Sequence, residues 1–511
     1  MILLRFIKKV LKLSDLIKKY WILLISEILI LIVFCLFYGR FGDIMVDSFR
    51  EAYIPEQMLN GNILYKNIFC IYPPLGYLIN EFLYKIFGVN LYVIYFSGLI
   101  SALEIFYFLN KILNIFLDKL IIAGINLFLI AGLILSPNVF NIFLPYSSGI
   151  VYGLLFSVAS IYFALNKKFP LAYLLCGLAI CSKAEFLFLF PALLYFSKKE
   201  SFLKNILAFI SPFFAVLGIL LIQGIRPSDL LTALYTIQLI GSTDTLQNFY
   251  FSMGLVPNIA HVPLYLINFV KFILPINWSL YQEILIWGFP VIAILFAFRY
   301  KNLSVRERFL VILSILISLK VFFGLTIQSY GVYFLPFCLL SIGLLLKGNF
   351  RKVFGILLII WALIIGFNNA KILSAKNYVL NSSRGIVKVD PSIGKSIDEI
   401  IRFVNSVPSN STVVVYPECL AVNYFSERKS DNKFYSLIPL YVETFGEDII
   451  LKRLEKFPPD YIVISDYDTF AYGYRQFGKD YGIKIYETII KNYHLEKEVE
   501  NGNYKMYTRK Y

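Results

Sequence analysis

Apolar residues in this chain come in long unbroken runs, and polar residues are gathered into short segments between them. Crossing about 30 Å of hydrocarbon takes roughly 20 helical residues, and runs approaching or reaching that length cover residues 21–38, 91–109, 120–135, 150–165, 186–196, 206–222, 284–298, 310–327, 332–346 and 353–367. A shorter run at 169–180 makes about eleven predicted membrane helices. The pattern changes near Lys371. Beyond it, "STVVVYP" at 411–417 and "PPDYIVISDYD" at 458–468 read as buried strands, and "GEDIILKRLEKF" between them has helical periodicity. An Asn-Gly turn signal in "YHLEKEVENGNYKMYTRK" separates two further strands. The predicted architecture is a polytopic α-helical membrane region, residues 1–370, followed by a small α/β domain, residues 371–511.

Composition agrees with a lipid solvent. Of the 511 residues 58% are hydrophobic and 16% charged, with a mean hydropathy of +0.70, outside the range of a water-soluble domain. The basic residues set the orientation, because Lys and Arg in short loops stay on the cytoplasmic side. "RFIKKVLKLSDLIKKY" carries six of them before the first run. Alternate loops then hold Lys111 and Lys119, Lys167 and Lys168, Lys198 and Lys199, Arg299 to Arg308, and Lys347 to Lys352, whereas "SPNVFNIFLPYSS" and "IQSYG" carry no charge. The alternation holds only when 169–180 counts as a span. It predicts a multi-pass protein of the cell (inner or plasma) membrane with a cytoplasmic N-terminus, and it puts the first loop, residues 40–90, and the C-terminal domain outside. No cleavable signal is evident, since "CLFYGRFGD" lacks a small-residue cleavage pattern.

The net charge of +15 does not point to nucleic acid. Of 48 basic and 33 acidic residues, 28 and 15 precede Lys371, leaving 20 against 18 in the tail; the excess marks the cytoplasmic face. Cys35, Cys176, Cys181 and Cys338 belong to apolar runs and behave as small hydrophobes. Cys70 and Cys419 share the outer side, which permits a disulfide without requiring one. With only His261 and His494, the sequence argues against a histidine-rich zinc site. The C-terminal domain has no Gly-rich phosphate loop or dinucleotide fingerprint.

The unusual segment is the first loop, "DIMVDSFREAYIPEQMLNGNILYKNIFCIYPPLGY", residues 43–77. Asp43, Asp47 and Glu51 recur at four-residue spacing and Arg50 stands three after Asp47, so a helix would align them on one face. Ile44, Val46, Phe49, Tyr53 and Ile54 would flank that face, with Pro55 breaking or kinking the helix. The expected picture is a helix lying on the outer interface, acids on one side and membrane contact on the other. Spacing alone also fits a solvated polar face with an intrahelical ion pair.

The order of these features resembles a known family. A basic N-terminus, a first span, an outer loop with an early Asp and an Arg three residues later, "LNGNILYKNIF", and "YPPLGY" before the second span together resemble the GT-C fold glycosyltransferases of family 39, the protein mannosyltransferase and aminoarabinose transferase relatives. The tail, "VVVYPECLAVNYFSER" and "PPDYIVISDYDTFAYGYRQFGKDYG", looks like the outer domain of bacterial members. The resemblance implies transfer of a sugar from a polyprenyl-phosphate donor to an acceptor hydroxyl at the outer face, with inversion. Asp47 then matches the catalytic acid, a general base, and Arg50 the arginine beyond it, with Glu51 the neighbouring acid. Two departures stand out: Ser48 follows Asp47 where relatives often have Glu, and Ile71 stands two residues before the Pro-Pro pair where many have an acid. The second leaves dependence on a divalent cation, Mg²⁺ or Mn²⁺, open, with no cofactor fixed.

A lipid phosphate leaving group calls for cations. Arg50 is one candidate. Lys183, in "CSKAEFLF" between two apolar runs, is another, since ionisable residues at such depth are costly and usually functional; it can equally snorkel or pair with Glu185. Lys320 in "LISLKVFFG", near Tyr330 and Tyr333, is a third. Asp43, Glu185 and Tyr330 remain as candidates for holding a metal or the acceptor. Glu27, Glu104 and Glu283 read as helix–helix hydrogen-bonding groups, and residues 224–279 as a lid or acceptor rim. The acceptor itself, a glycan, a lipid or a protein hydroxyl, is not legible. The alternatives are a lipid-linked sugar flippase or transporter, disfavoured by the absence of an inverted repeat, and a surface-polysaccharide polymerase.

Overall fold

The computed structural model describes residues 2–45, 47–197, 201–241, 243–246, 291–323, 331–430, 433–499 and 504–510. Its N-terminal part is helical: α1 Ile2–Phe37, α2 Asp47–Leu59, α3 Leu75–Phe87, α4 Leu91–Phe116, α5 Lys119–Leu129, α6 Ser148–Leu165, α7 Phe169–Ser182, α8 Leu189–Ser197, α9 Phe202–Ile222 and α10 Pro227–Gly241. Helices Val305–Phe323, Leu335–Leu345 and Gly348–Ala375 follow. Among the described residues, five helical stretches are long and apolar enough to cross a membrane: Tyr20–Phe37, Leu91–Phe116, Ser148–Leu165, Phe202–Ile222 and Gly348–Ala375. Shorter apolar helices cover Lys119–Ile134, Phe169–Ser182, Ala184–Ser197 and Val332–Leu345. Two predicted runs, 284–298 and 310–327, extend outside the described residues.

Small residues let these helices approach closely, as membrane packing requires. A Cβ on Gly76 would stand 2.8 Å from the Gly149 backbone, and one on Gly149 would stand 2.4 Å from the Ser182 carbonyl oxygen. These two contacts pin the start of α3, the start of α6 and the end of α7 to one point. Buried polar groups in the bundle find partners: Asn80 Nδ2 donates to Ser148 Oγ at 3.0 Å, and Tyr152 Oη donates to Asn80 Oδ1 at 2.6 Å. Deeper in the bundle, Asn126 Nδ2 donates to Ser26 Oγ at 2.9 Å and to Asn110 Oδ1 at 2.8 Å.

After the helices come an antiparallel pair, β1 Tyr378–Ser382 and β2 Gly385–Val389, and a four-stranded sheet. The sheet has the order β3 (Val413–Tyr416), β4 (Tyr461–Ser465), β6 (Tyr504–Arg509), β5 (Tyr493–Val499). β3 runs parallel to β4 and the other pairs are antiparallel. The strands expected at 411–417 and 458–468, the helix between them (Glu447–Lys456) and the terminal pair all form. This region is fastened to the first loop, with Lys388 N–H donating to Gly39 O at 2.6 Å and Leu91 N–H to Arg384 O at 2.8 Å. Helix Leu420–Ser426 packs on α2, Phe49 meeting Phe425 at 5.1 Å between ring centroids.

Three expectations about the first loop are corrected. Asp43 lies outside the helix, which starts at Asp47, and Asp43 Oδ1 accepts from Met45 N–H at 2.8 Å. Pro55 does not end the helix, which continues to Leu59. A helical proline lacks the N–H that would bond the carbonyl four residues back; here that carbonyl is Glu51 O, and Asn80 Nδ2 approaches it at 3.5 Å. Nor does α2 lie on the membrane with a wet acidic face: Ser48 through Met58 are all buried, between α3 on one side and the C-terminal region on the other. Cys70 and Cys419 are buried free thiols, so the permitted disulfide is absent.

Candidate active site

The first turns of α2 hold the site. Asp47 sits at the helix N-terminus, where the helix dipole favours a carboxylate. Arg50, one turn on, donates from Nη1 to Asp47 Oδ1 at 2.8 Å and from Nη2 to Tyr146 O at 2.6 Å. The Arg50 side chain is 5% exposed and that of Asp47 31%, so the acid is the member of the pair that reaches solvent. Glu51 is sealed. Its Oε1 accepts from Tyr77 Oη at 2.9 Å and its Oε2 from Ser148 N–H at 2.7 Å, with Arg50 Nε 3.6 Å from Oε1. Burial raises its pKa while Arg50 and these donors pull it down. Glu51 therefore ties α2 to α3 and α6.

Lys183, in the break after α7, converges on the same point. Its Nζ lies 4.0 Å from the centroid of the Tyr72 ring, 5.2 Å from that of Tyr146 and 3.9 Å from Glu185 Oε1. The Arg50 guanidinium carbon lies 4.6 Å from the Tyr72 ring as well. Two cations therefore share one aromatic ring (cation–π contacts), beside the partly exposed carboxylates of Asp47 and Glu185. Burial, then the repulsion of Arg50, lowers the Lys183 pKa to about 7. An anion arriving between the two would restore the ammonium charge and be held by both groups. The snorkelling reading fails, since Lys183 is 3% exposed, while the Glu185 pairing is retained.

The structure brings Asp47, Arg50, Glu51, Lys183 and Glu185 together and leaves Asp43 on the adjoining turn. The Lys320 side chain and Tyr330 lie outside the described residues, as does most of 224–279. Tyr333 is buried and donates to Asn141 O at 2.7 Å. As metal ligands the acids fit poorly. Asp47 is taken by Arg50, Glu51 by Tyr77 and Ser148, and Asp43 by a backbone N–H. Among the described residues no group of three or more His, Cys, Asp or Glu side chains converges as a metal cluster would.

Sequence reasoning missed Glu418. It follows β3 in "VVVYPECL", is 4% exposed, and accepts from Ser436 Oγ at 3.1 Å. The next residue, Cys419, rests its Sγ 3.8 Å from Ile44 O, so the segment lies against the turn that leads into Asp47. Burial and the nearby Asp47 carboxylate push the Glu418 pKa up to about 8, Arg50 opposing. Around it stand the buried tyrosines Tyr435 and Tyr441 and the partly buried Tyr467 and Tyr472, each in electrostatic range of Glu418. The only sequence signal was an acid inside an otherwise apolar stretch. The C-terminal region thus walls the site with aromatic rings and one buried acid, Glu418.

Two solved structures share this architecture. One is ArnT from Cupriavidus metallidurans bound to undecaprenyl phosphate, with a TM-score of 0.51 at 10% identity, covering 95% of this chain and 97% of that one. The other is the same protein in the apo state, with a TM-score of 0.51 at 11% identity and the same coverage. No family model matches the sequence, and no curated protein does. The likeness defines the fold, a polytopic GT-C-like membrane architecture with a small C-terminal sheet region, in agreement with the sequence resemblance.

Proposed function

We propose that this protein is a membrane glycosyltransferase that moves a sugar from a polyprenyl-phosphate donor to an acceptor hydroxyl at the outer face of the membrane, inverting the anomeric centre. The observation that carries the reading is the pairing of Arg50 and Lys183 about Tyr72, with Asp47 hydrogen-bonded to Arg50 and partly exposed. The fold supports it, since ArnT binds undecaprenyl phosphate with the same architecture.

The donor's isoprenoid tail lies in the bilayer and its phosphate enters beside Arg50 and Lys183. The acceptor hydroxyl approaches the opposite face of the sugar, and Asp47 takes its proton. The new bond forms from the acceptor oxygen to the anomeric carbon as the bond from that carbon to the phosphate oxygen breaks. The lipid phosphate leaves with one more negative charge, which the two cations stabilise in a site shielded from water. A single base suffices, and no covalent sugar–enzyme intermediate is needed. Arg50 also orients Asp47 through the 2.8 Å hydrogen bond, while the aromatic wall gives the sugar apolar faces to stack on. No step runs through a divalent cation, because the acids do not form its ligand set.

The test is the lipid content of cells lacking the protein. A polyprenyl-phosphate sugar should accumulate in extracts of the deletion strain and return to its normal level when the wild-type chain is restored, though not when Asp47→Asn is. An unchanged lipid profile contradicts the proposal.

A further inference from the structure

A second concavity opens on the far half of α2. It has a volume of about 260 Å³, with Tyr53, Gln57, Asn62 and Asn67 on one wall and Tyr435, Arg453 and Phe457 on the other. Every lining residue belongs to the first loop or the C-terminal region, and none to a helix long enough to cross the membrane. An occupant therefore enters from the aqueous side. The cleft is separate from the proposed lipid phosphate site and lies near it. Asp47 and Tyr53 are six residues, about 9 Å, apart along one helix axis, and Tyr435 lies in electrostatic range of both Arg50 and Glu418.

The lining has the chemistry of sugar recognition. Phe457, 38% exposed, offers ring surface for the apolar face of a pyranose, and the buried Tyr53 and Tyr435 back the cleft. Gln57 Oε1 accepts from Asn62 Nδ2 at 3.2 Å, and Asn67 Oδ1 accepts from Ile63 N–H at 3.1 Å. Both amide oxygens are thus occupied, and the Gln57 and Asn67 amide N–H groups have no partner among the described residues. Such groups donate to hydroxyl or carboxylate oxygens. The Arg453 guanidinium carbon lies 3.9 Å from the Phe457 ring centroid, which steadies its charge at the rim. No Asp or Glu lines the cleft, so neutral and anionic ligands suit it and cationic ones do not.

From this we infer that the cleft is a subsite for a sugar unit of the acceptor, lying beyond the unit that reacts and either neutral or bearing a carboxylate. The inference rests on the transferase reading and narrows the acceptor to a glycan. Chitotetraose and tetragalacturonate serve as neutral and acidic probes, with binding to the purified full-length chain in detergent read by saturation-transfer difference NMR. Wild type and Asp47→Asn should bind the probes alike, because Asp47 lies outside the cleft. Arg453→Gln should weaken the acidic probe by about tenfold or more through loss of a charge-assisted bond. Asn67→Asp keeps the bond to Ile63 N–H and should expel the acidic probe while retaining the neutral one. Thermal unfolding of each variant beside wild type checks that the fold is kept. Wild type binding neither probe, or both cleft variants binding both probes as wild type does, overturns the proposal. Normal lipid-donor turnover alongside that second result sinks the cleft alone. Cleft binding in a chain that turns over no lipid donor removes the acceptor assignment together with the transferase reading.

Discussion

Arg50 shows how much one side chain settles. Its two terminal nitrogens hold Asp47 and the Tyr146 carbonyl at once while its plane faces Tyr72. Lysine keeps the charge but has no planar fork, so Arg50→Lys is expected to lose about 10-fold to 100-fold in turnover with little change in thermal stability, less than the roughly 100-fold to 1,000-fold of losing an oriented donor outright; turnover within experimental error of wild type would remove Arg50 from the site. Glu418 carries a pH signature. Its pKa stands at about 8 in the folded chain against an ordinary 4.5, so burial costs nothing while the acid is protonated in both states. As pH rises above the ordinary value the unfolded chain ionises first, and stability falls until the folded pKa is passed. Glu418→Gln removes that slope, so its unfolding midpoint should decline less than wild type's between about pH 5 and pH 8; parallel curves would show that Glu418 is not held neutral. Asp47, Arg50 and Lys183 were legible in the sequence because each stands in a local context that makes a charge conspicuous. Glu418 was not, because its neighbour Asp47 is hundreds of residues away and β3 looks like ordinary core.

At the scale of elements, apolar runs located the described membrane-region helices, five of them long enough to cross the hydrocarbon, and strand alternation with a turn signal gave the terminal hairpin. The burial of α2 was hidden. Its acids look solvated until α3, α6 and the C-terminal region supply Tyr77, Ser148 and Arg384. Arg384 Nη2 meets Glu56 Oε1 at 2.8 Å and Glu427 Oε2 at 3.5 Å, latching the far end of α2 to the β1–β2 turn. Burial raises the Glu56 pKa to about 7 even against the pull of Arg384. Arg384→Met leaves that acid buried without its cation and should cost about 3 kcal/mol, at the low end for such a pair. The unfolding midpoint should drop by several degrees and recover partly in the Arg384→Met, Glu56→Gln double variant. No drop would mean the latch contributes nothing to holding α2.

Across the whole molecule, the charge alternation and the fold bear on where the chemistry happens. A reporter fused after Lys371 should be active only outside the cytoplasm and one fused after Lys199 only inside; both on one side would contradict an external site. Distant parts of the chain meet at the candidate site: the first loop and the break after α7 bring Asp47, Arg50 and Lys183 together around Tyr72, and the C-terminal region adds Glu418 and its surrounding tyrosines. The most direct measurement of the central claim is single-component turnover, with the purified chain in proteoliposomes containing an undecaprenyl-phosphate-linked sugar and a glycan acceptor. The wild-type chain should release undecaprenyl phosphate and glycosylate the acceptor. Asp47→Asn, inserted and folded to the same extent, should be slower by about 100-fold to 10,000-fold, the usual cost of losing a general base. Equal rates for the two proteins, or no turnover of any polyprenyl-phosphate sugar by wild type, would contradict the account.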